Sequence, residues 1–281
     1  MERLDDDELN RWLHEDAPFG DLTTRSLGIG ARAGQLRFHA RGVMRVAAIE
    51  EAARLFELCG ATAQVEVPSG RDVGPGEVLL RARGQAGALI EAWKVAQTTV
   101  EAASGLATEA AHILRPLRAA GFGLALACTR NTWPGGRALA ARAVWAGGAV
   151  MHRLGLSETL LVLPEHRRFI DPADLPAALA ALRQSQPEKR LVVETGDADE
   201  AVALARLGVE VIQLERFAPE ALAALRERLL ALNLRPMLAP AGGVSADNAL
   251  SYARAGADLL VSSAPYFAPP KDVLVVIEPV V

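Results

Sequence analysis

The sequence predicts an α/β protein, an open and incomplete β/α barrel preceded by an N-terminal α+β sandwich layer. Two patterns and one absence lead there. Six short apolar stretches, LALAC (124–128), TLLVL (159–163), RLVVE (190–194), EVIQL (210–214), RPMLA (235–239) and ADLLV (257–261), alternate mostly with Ala-, Leu- and Arg-rich helix formers. Strands that are apolar without alternation belong to a parallel sheet covered on both faces. Ahead of them, residues 35–83 carry a different pattern, QLRFHA, QVEV and EVLLRARG around a helical segment near 49–59. A doubly wound open sheet is the competing architecture, but no G-x-G-x-x-G follows the first strand, which weakens its dinucleotide-binding version.

Taken in order, residues 5–15 form a short acidic helix, and the turn residues of PSGRDVGPGE separate two strands of the first layer. From Ala86 to Ala120 the chain is Ala-rich and helical, with interruptions expected at Ser104-Gly105 and at Pro116. The six β/α units follow. The segment KDVLVVIEPVV is one more strand and is expected to return to the N-terminal layer. The resulting division is 1–108 for the N-terminal domain, 109–268 for the barrel and 269–281 for the returning strand.

With 281 residues, 51% of them hydrophobic and 23% charged, the chain can bury a sizeable core. A net charge of −4 gives no electrostatic ground for binding nucleic acid or an anionic membrane, so any anionic ligand must meet a local positive patch. The start, MERLDDDELN, lacks the order of a signal peptide and no apolar run approaches membrane-spanning length, so a cytoplasmic location is expected. Cys59 and Cys128 are isolated and show no C-x-x-C spacing, which points to packed thiols rather than a disulfide framework or a zinc site.

In a β/α barrel the chemistry lies beyond the C-terminal ends of the strands. Those ends carry Thr129 and Arg130, Glu165 and His166, Glu194, Glu215, Gly242-Gly243 and Ser262-Ser263. PAGGVSADN and VSSAP suit a phosphate held by exposed backbone N–H groups at a helix start. A tight turn in which Ser245 caps a helix from Ala246 fits the same residues. Glu194 and Glu215 at adjacent strand ends could hold Mg²⁺ or sugar hydroxyls, whereas a single strand-end Glu is usually a solvated loop residue. Arg130, Arg137, His152 and Arg153 form a basic group suited to a polyanion, beside the paired Gly147-Gly148 that permits close backbone approach. Alone, His152 would read as a packed histidine and Arg153 as a surface charge.

EDAPFGDLT (15–23), SGLAT (104–108), TRNTWPGGRAL (129–139), GGAVMHR (147–153), VVET (192–195), QLERF (213–217) and APAGGV (239–244) together resemble the type II phosphoribosyltransferases, quinolinate phosphoribosyltransferase and its relatives. The resemblance runs in matching order over almost the whole chain. It implies transfer of ribose phosphate from phosphoribosyl pyrophosphate to a ring nitrogen, with Mg²⁺ on the leaving pyrophosphate, in a homodimer or higher oligomer whose subunits share sites. On that resemblance Arg130, His152 and Arg153 contact the anionic acceptor and Lys94 reaches a neighbouring subunit's site. Glu194 and Glu215 organise ribose and metal, with Glu215 where the family has aspartate. Gly242 and Gly243 form the phosphate loop, with Ala241 where a serine is usual.

The departures concern charge. Where the quinolinate enzymes read Lys-Asp-Asn-His, this chain reads Leu163, Pro164, Glu165 and His166, and Asn131 stands where the family has lysine. Two positive charges are lost, and a dicarboxylate buried without partners is costly. With CTR in place of DTR and with SAPYFAPP, the chain is similar to the ModD branch, pyrophosphorylase-like proteins associated with molybdenum transport genes. The resemblance thus implies a Mg²⁺-dependent enzyme with a non-quinolinate acceptor. The alternatives are a quinolinate enzyme in which Arg142 or Arg167 replaces the lost lysines, and a phosphate-ligand or oxyanion binding protein without turnover.

Overall fold

The computed structural model describes residues 4–280, which fall into two compact units. The first runs to Ala111 and takes in Thr132–Gly148 and the segment from Pro265; the second comprises His112–Asn131 and Ala149–Ala264. The boundary differs from a single cut near 108, because the helix Arg137–Ala146 groups with the N-terminal layer instead of with the barrel. Two contacts account for this. Arg142 forms an ion pair with the buried carboxylate of Glu51. At the helix end, a Cβ on Gly147 would stand 2.6 Å from Ala110 Cβ and 2.8 Å from the Ala107 carbonyl, so only glycine permits the approach.

In the first unit, the helix Asp6–Asp16 starts on Asp5, whose carboxylate accepts from the Glu8 N–H at 2.8 Å, and it buries Leu9 and Leu13. Five strands follow: β1 (Ala33–Ala40), β2 (Met44–Arg45), β3 (Thr62–Val65), β4 (Asp72–Val73) and β5 (Val78–Gln85). In β1 burial alternates residue by residue, as expected for a sheet packed on one face. Phe38 of that buried face meets Phe56 of the helix Ile49–Leu58 edge-on, with centroids 5.8 Å apart. β2 and β4 form a separate two-stranded ladder.

The helix Ala86–Ala119 is continuous, and neither expected interruption occurs. Ser104 and Gly105 are there for packing. The Ser104 hydroxyl accepts from the Ala47 N–H at 3.0 Å, and the Pro269 carbonyl oxygen lies 2.4 Å from where a Gly105 Cβ would be. Pro116 sits in the last turn, where its missing N–H removes a single bond of the helix.

The second unit supplies β6 (Ala125–Cys128), β7 (Val150–Met151), β8 (Leu160–Val162), β9 (Leu191–Thr195), β10 (Val211–Glu215), β11 (Met237–Ala241) and β12 (Leu259–Ser262). Parallel ladders run β11-β10-β9-β8 and β12-β6-β7. Asp258 joins the two sheets, donating its N–H to the Leu238 carbonyl at 2.9 Å and accepting the Leu238 N–H on its carboxylate at 2.8 Å. Among the described residues no ladder joins β7 to β8, so the barrel is open there. Its interior is packed by Ala127, Val211, Ala239, Ala241 and Val261, with Val192, Met237 and Leu259 against them. All six predicted strands form; the two-residue β7 is additional. The last strand, β13 (Val273–Pro279), lies in the first unit and pairs antiparallel with β1, giving the order β13-β1-β5-β3.

Candidate active site at the barrel mouth

The strand ends of the second unit place charged groups of opposite sign on different strands. Arg130 follows β6 and is exposed. Beyond β7, His152 donates its backbone N–H to the Cys128 carbonyl at 2.8 Å, which extends the ladder by one step and fixes where Arg153 emerges. Arg153 is buried, at 7% exposure, and its guanidinium hydrogen-bonds no described residue. Burial disfavours its charged form, the like charge of Arg130 adds to this, and Glu194 acts in the opposite sense. Burial first and Arg153 second also push the His152 ring below its usual range, toward the neutral form.

Carboxylates gather at the ends of β8, β9 and β10. Glu194 and Gln213 are register partners on β9 and β10, and Gln213 donates its side-chain N–H to Glu194 Oε2 at 2.5 Å. Gln213 is buried, and its own carbonyl oxygen has no hydrogen-bond partner. Glu194 is raised above the usual carboxylate range, mainly by burial. Gln213 opposes the rise, the nearby charges of Glu215 and Glu165 add to it, and Arg167 acts against it. Arg167 donates to the Glu194 backbone carbonyl at 2.9 Å and pairs with Glu200, which also accepts from the Thr195 hydroxyl. Among the described residues no group of three or more His, Cys, Asp or Glu could hold a metal. An ion at Glu194 and Glu215 would therefore complete its shell with ligand oxygens and water, as Mg²⁺ commonly does.

The loop after β11 turns through Gly242 (φ 77°) and Gly243 (φ 97°). A Cβ on Gly242 would lie 2.5 Å from Glu215 Oε1. Asn248 pins the loop, accepting the Ser245 N–H on Oδ1 and donating from Nδ2 to the Gly243 carbonyl, both at 2.9 Å. This corrects the expected Ser245 cap: the helix begins at Ala249, not Ala246, and is six residues long. Ser262 is buried and donates its hydroxyl to the Val244 carbonyl at 2.6 Å while accepting the Ala264 N–H at 3.1 Å, so it shapes the loop from behind. Ser263 next to it is half-buried.

The structure therefore brings Arg130, His152, Arg153, Glu194, Glu215, Gly242, Gly243, Ser262 and Ser263 to the strand ends of one unit. His166 belongs there too, on the short helix Pro164–Arg167, with Nδ1 accepting the Leu163 N–H at 3.0 Å. Lys94 and Arg137 belong to the first unit. Lys94 is exposed on the long helix, donates to Gln97 at 2.8 Å and lies 5.2 Å from the Trp93 ring centroid. Arg137 opens its helix and is exposed. Sequence reasoning missed Gln213, Arg216 and Asn248. A lone polar residue inside an otherwise apolar strand is the signal that marks Gln213; the others carry none.

Comparison with known proteins agrees with this architecture. Residues 21–104 match the N-terminal domain of quinolinate phosphoribosyl transferase, and residues 106–275 match the C-terminal domain of quinolinate phosphoribosyl transferase. The ModD protein of Rhodobacter capsulatus is 49% identical over 253 residues, covering 90% of this chain and 97% of that one. The carboxylating nicotinate-nucleotide pyrophosphorylase of Homo sapiens is 28% identical over 241 residues, covering 85% and 80%. The crystal structure of NadC from Streptococcus pyogenes superposes with a TM-score of 0.89 at 22% identity over 100% of both chains, a likeness of fold. The class is that of the type II phosphoribosyltransferases, enzymes that transfer a pentosyl group. The chain belongs to the quinolinate phosphoribosyl transferase family, and its relatives include proteins named ModD as well as nicotinate-nucleotide pyrophosphorylases.

Proposed function

We propose that the protein is a Mg²⁺-dependent, ModD-like transferase that takes the ribose phosphate of phosphoribosyl pyrophosphate to a ring nitrogen of a small acceptor other than quinolinate. The observation that carries this is the two-sided barrel mouth, with Arg130, His152 and Arg153 beyond β6 and β7 and Glu194 and Glu215 at the C-terminal ends of β9 and β10. Breaking the anomeric bond develops positive charge on the sugar and negative charge on pyrophosphate, so fixed charges of both signs stabilise the transition state without a covalent nucleophile. Arg153, a buried residue whose guanidinium hydrogen-bonds no described residue, binds an anionic group of the acceptor, and neutral His152 beside it orients the ring. Glu194 and Glu215 face the ribose and would hold Mg²⁺, which when bound neutralises the leaving pyrophosphate. The glycine loop at 242–243, with Ser263 beside it, takes the sugar phosphate on backbone N–H groups, and Ser262 braces it.

The acceptor is not a dicarboxylate on this reading because the cations that could replace the missing lysines are engaged elsewhere. Arg142 is paired with Glu51, and Arg167 is held by Glu200 and the Glu194 carbonyl. Lys94 and Arg137, on exposed positions of the first unit, serve a neighbouring subunit's site in a cytoplasmic homodimer. Among the described residues no helix is long and apolar enough to cross a membrane.

The test is a thermal-shift titration with phosphoribosyl pyrophosphate, with and without Mg²⁺. Ligand at ~100 times its dissociation constant stabilises by about 2.7 kcal/mol, an easily seen shift. A Mg²⁺-dependent rise establishes the donor site, and pyrophosphate release then screens acceptors. Release with quinolinate overturns the choice of acceptor; saturable binding with no product from any acceptor favours a binding protein.

A further inference from the structure

Arg216 follows the last residue of β10 and adopts a left-handed backbone, φ 56°, sparsely populated for any residue with a Cβ. Its N–H donates to the Ala241 carbonyl at 2.8 Å, which holds the turn in place. The consequence is geometric. Successive strand residues point to opposite faces, yet here two consecutive side chains converge on one point. A Cβ on Gly242 would be 2.5 Å from Glu215 Oε1 and 2.9 Å from Arg216 Cγ, so the missing side chain of Gly242 makes room for both.

The Arg216 side chain is 85% exposed, and among the described residues its one ionic contact is a single approach to Glu215, Nε to Oε1, at 3.5 Å. An uncommitted guanidinium is thus stationed on the double-glycine loop by a strained backbone, and strain of this kind persists where the surrounding structure selects it. We propose that Arg216 is a binding residue that closes on a phosphate monoester seated on the Gly242–Gly243 backbone. Its fork donates two hydrogen bonds to phosphate oxygens, restoring from β10 a positive charge at the site. This rests on the reading of that loop as a phosphate site.

The experiment is calorimetric titration of ribose 5-phosphate in the presence of a chelator, on the full chain and on Arg216→Gly, Arg216→Lys and Arg216→Ala. Glycine relieves the left-handed strain, so Arg216→Gly should melt at or above the parent temperature while its affinity for ribose 5-phosphate falls about 10- to 100-fold. Arg216→Lys should retain part of the affinity. If the parent binds ribose 5-phosphate and Arg216→Gly binds it within twofold, the assignment of Arg216 is overturned and the phosphate loop stands. If affinity falls only when Mg²⁺ is present, Arg216 acts through Glu215 and the proposal fails. If the parent binds neither ribose 5-phosphate nor phosphoribosyl pyrophosphate, the phosphate reading falls with it.

Discussion

Gln213 and Glu194, register partners on neighbouring strands, are joined by a hydrogen bond of 2.5 Å between the amide and the carboxylate. The bond favours the ionised carboxylate, while burial and the neighbouring Glu215 and Glu165 favour the protonated one and prevail. Removing the donor leaves Arg167 as the one named group that still opposes the rise.

Gln213→Leu should therefore move the acid limb of Mg²⁺-dependent donor binding to higher pH. The sign follows from the raised folded-state pKa: stability from protonated Glu194 is present at low pH and lost as pH rises through that pKa, whereas ligand binding needs the ionised form. Thermal shifts with phosphoribosyl pyrophosphate across a pH series check it; an unmoved midpoint would contradict the role given to Gln213.

Arg153→Ala should fold normally and lose activity. The residue is buried, but its guanidinium hydrogen-bonds no described residue, so truncation breaks no hydrogen bond among them and costs the fold little. Urea unfolding and turnover, measured on one preparation, separate the two effects, and normal turnover would remove Arg153 from the site.

Glu51→Ala should be severely destabilising. The Glu51 side chain is 1% and the Arg142 side chain 13% exposed, and stripping one partner from a buried pair costs about 3–5 kcal/mol. The urea midpoint reads this directly, and a change near zero would show that water reaches Arg142.

Neither thiol should react readily in the native protein. Burial pushes Cys128 up to about 12 and Cys59 up to about 11, with Glu91 adding to the latter, so the thiolate is scarce near neutrality. Aromatic disulfide reagents should titrate both cysteines only after unfolding; rapid labelling of either in the folded protein would contradict its placement.

The barrel was legible because parallel strands covered on both faces leave continuous apolar runs, which EVIQL and ADLLV show plainly. Residues next to those runs were legible for the same reason, and Arg130, Glu194, Glu215 and Gly242 all lie at strand ends. What escaped depends on three-dimensional approach. Ser104 and Gly105 look like helix breakers, yet they admit Ala47 and Pro269 to a helix that never breaks. Arg216 looks like any charge after a strand, because its backbone angle is set by the Ala241 carbonyl on a neighbouring strand. The expected Ser245 cap is not formed, and no side chain caps the helix from Ala249; the Asn248 side chain instead ties the loop backbone at Gly243 and Ser245.

The pairing of β13 with β1 also orders events at the ribosome. β1 and its partner β5 emerge early, but the strand that covers the outer edge of β1 follows all of the second unit. For most of synthesis β1 presents unpaired N–H and C=O groups, a template for wrong partners. The sheet of the first unit is therefore completed only after the residues of the second unit have been synthesised.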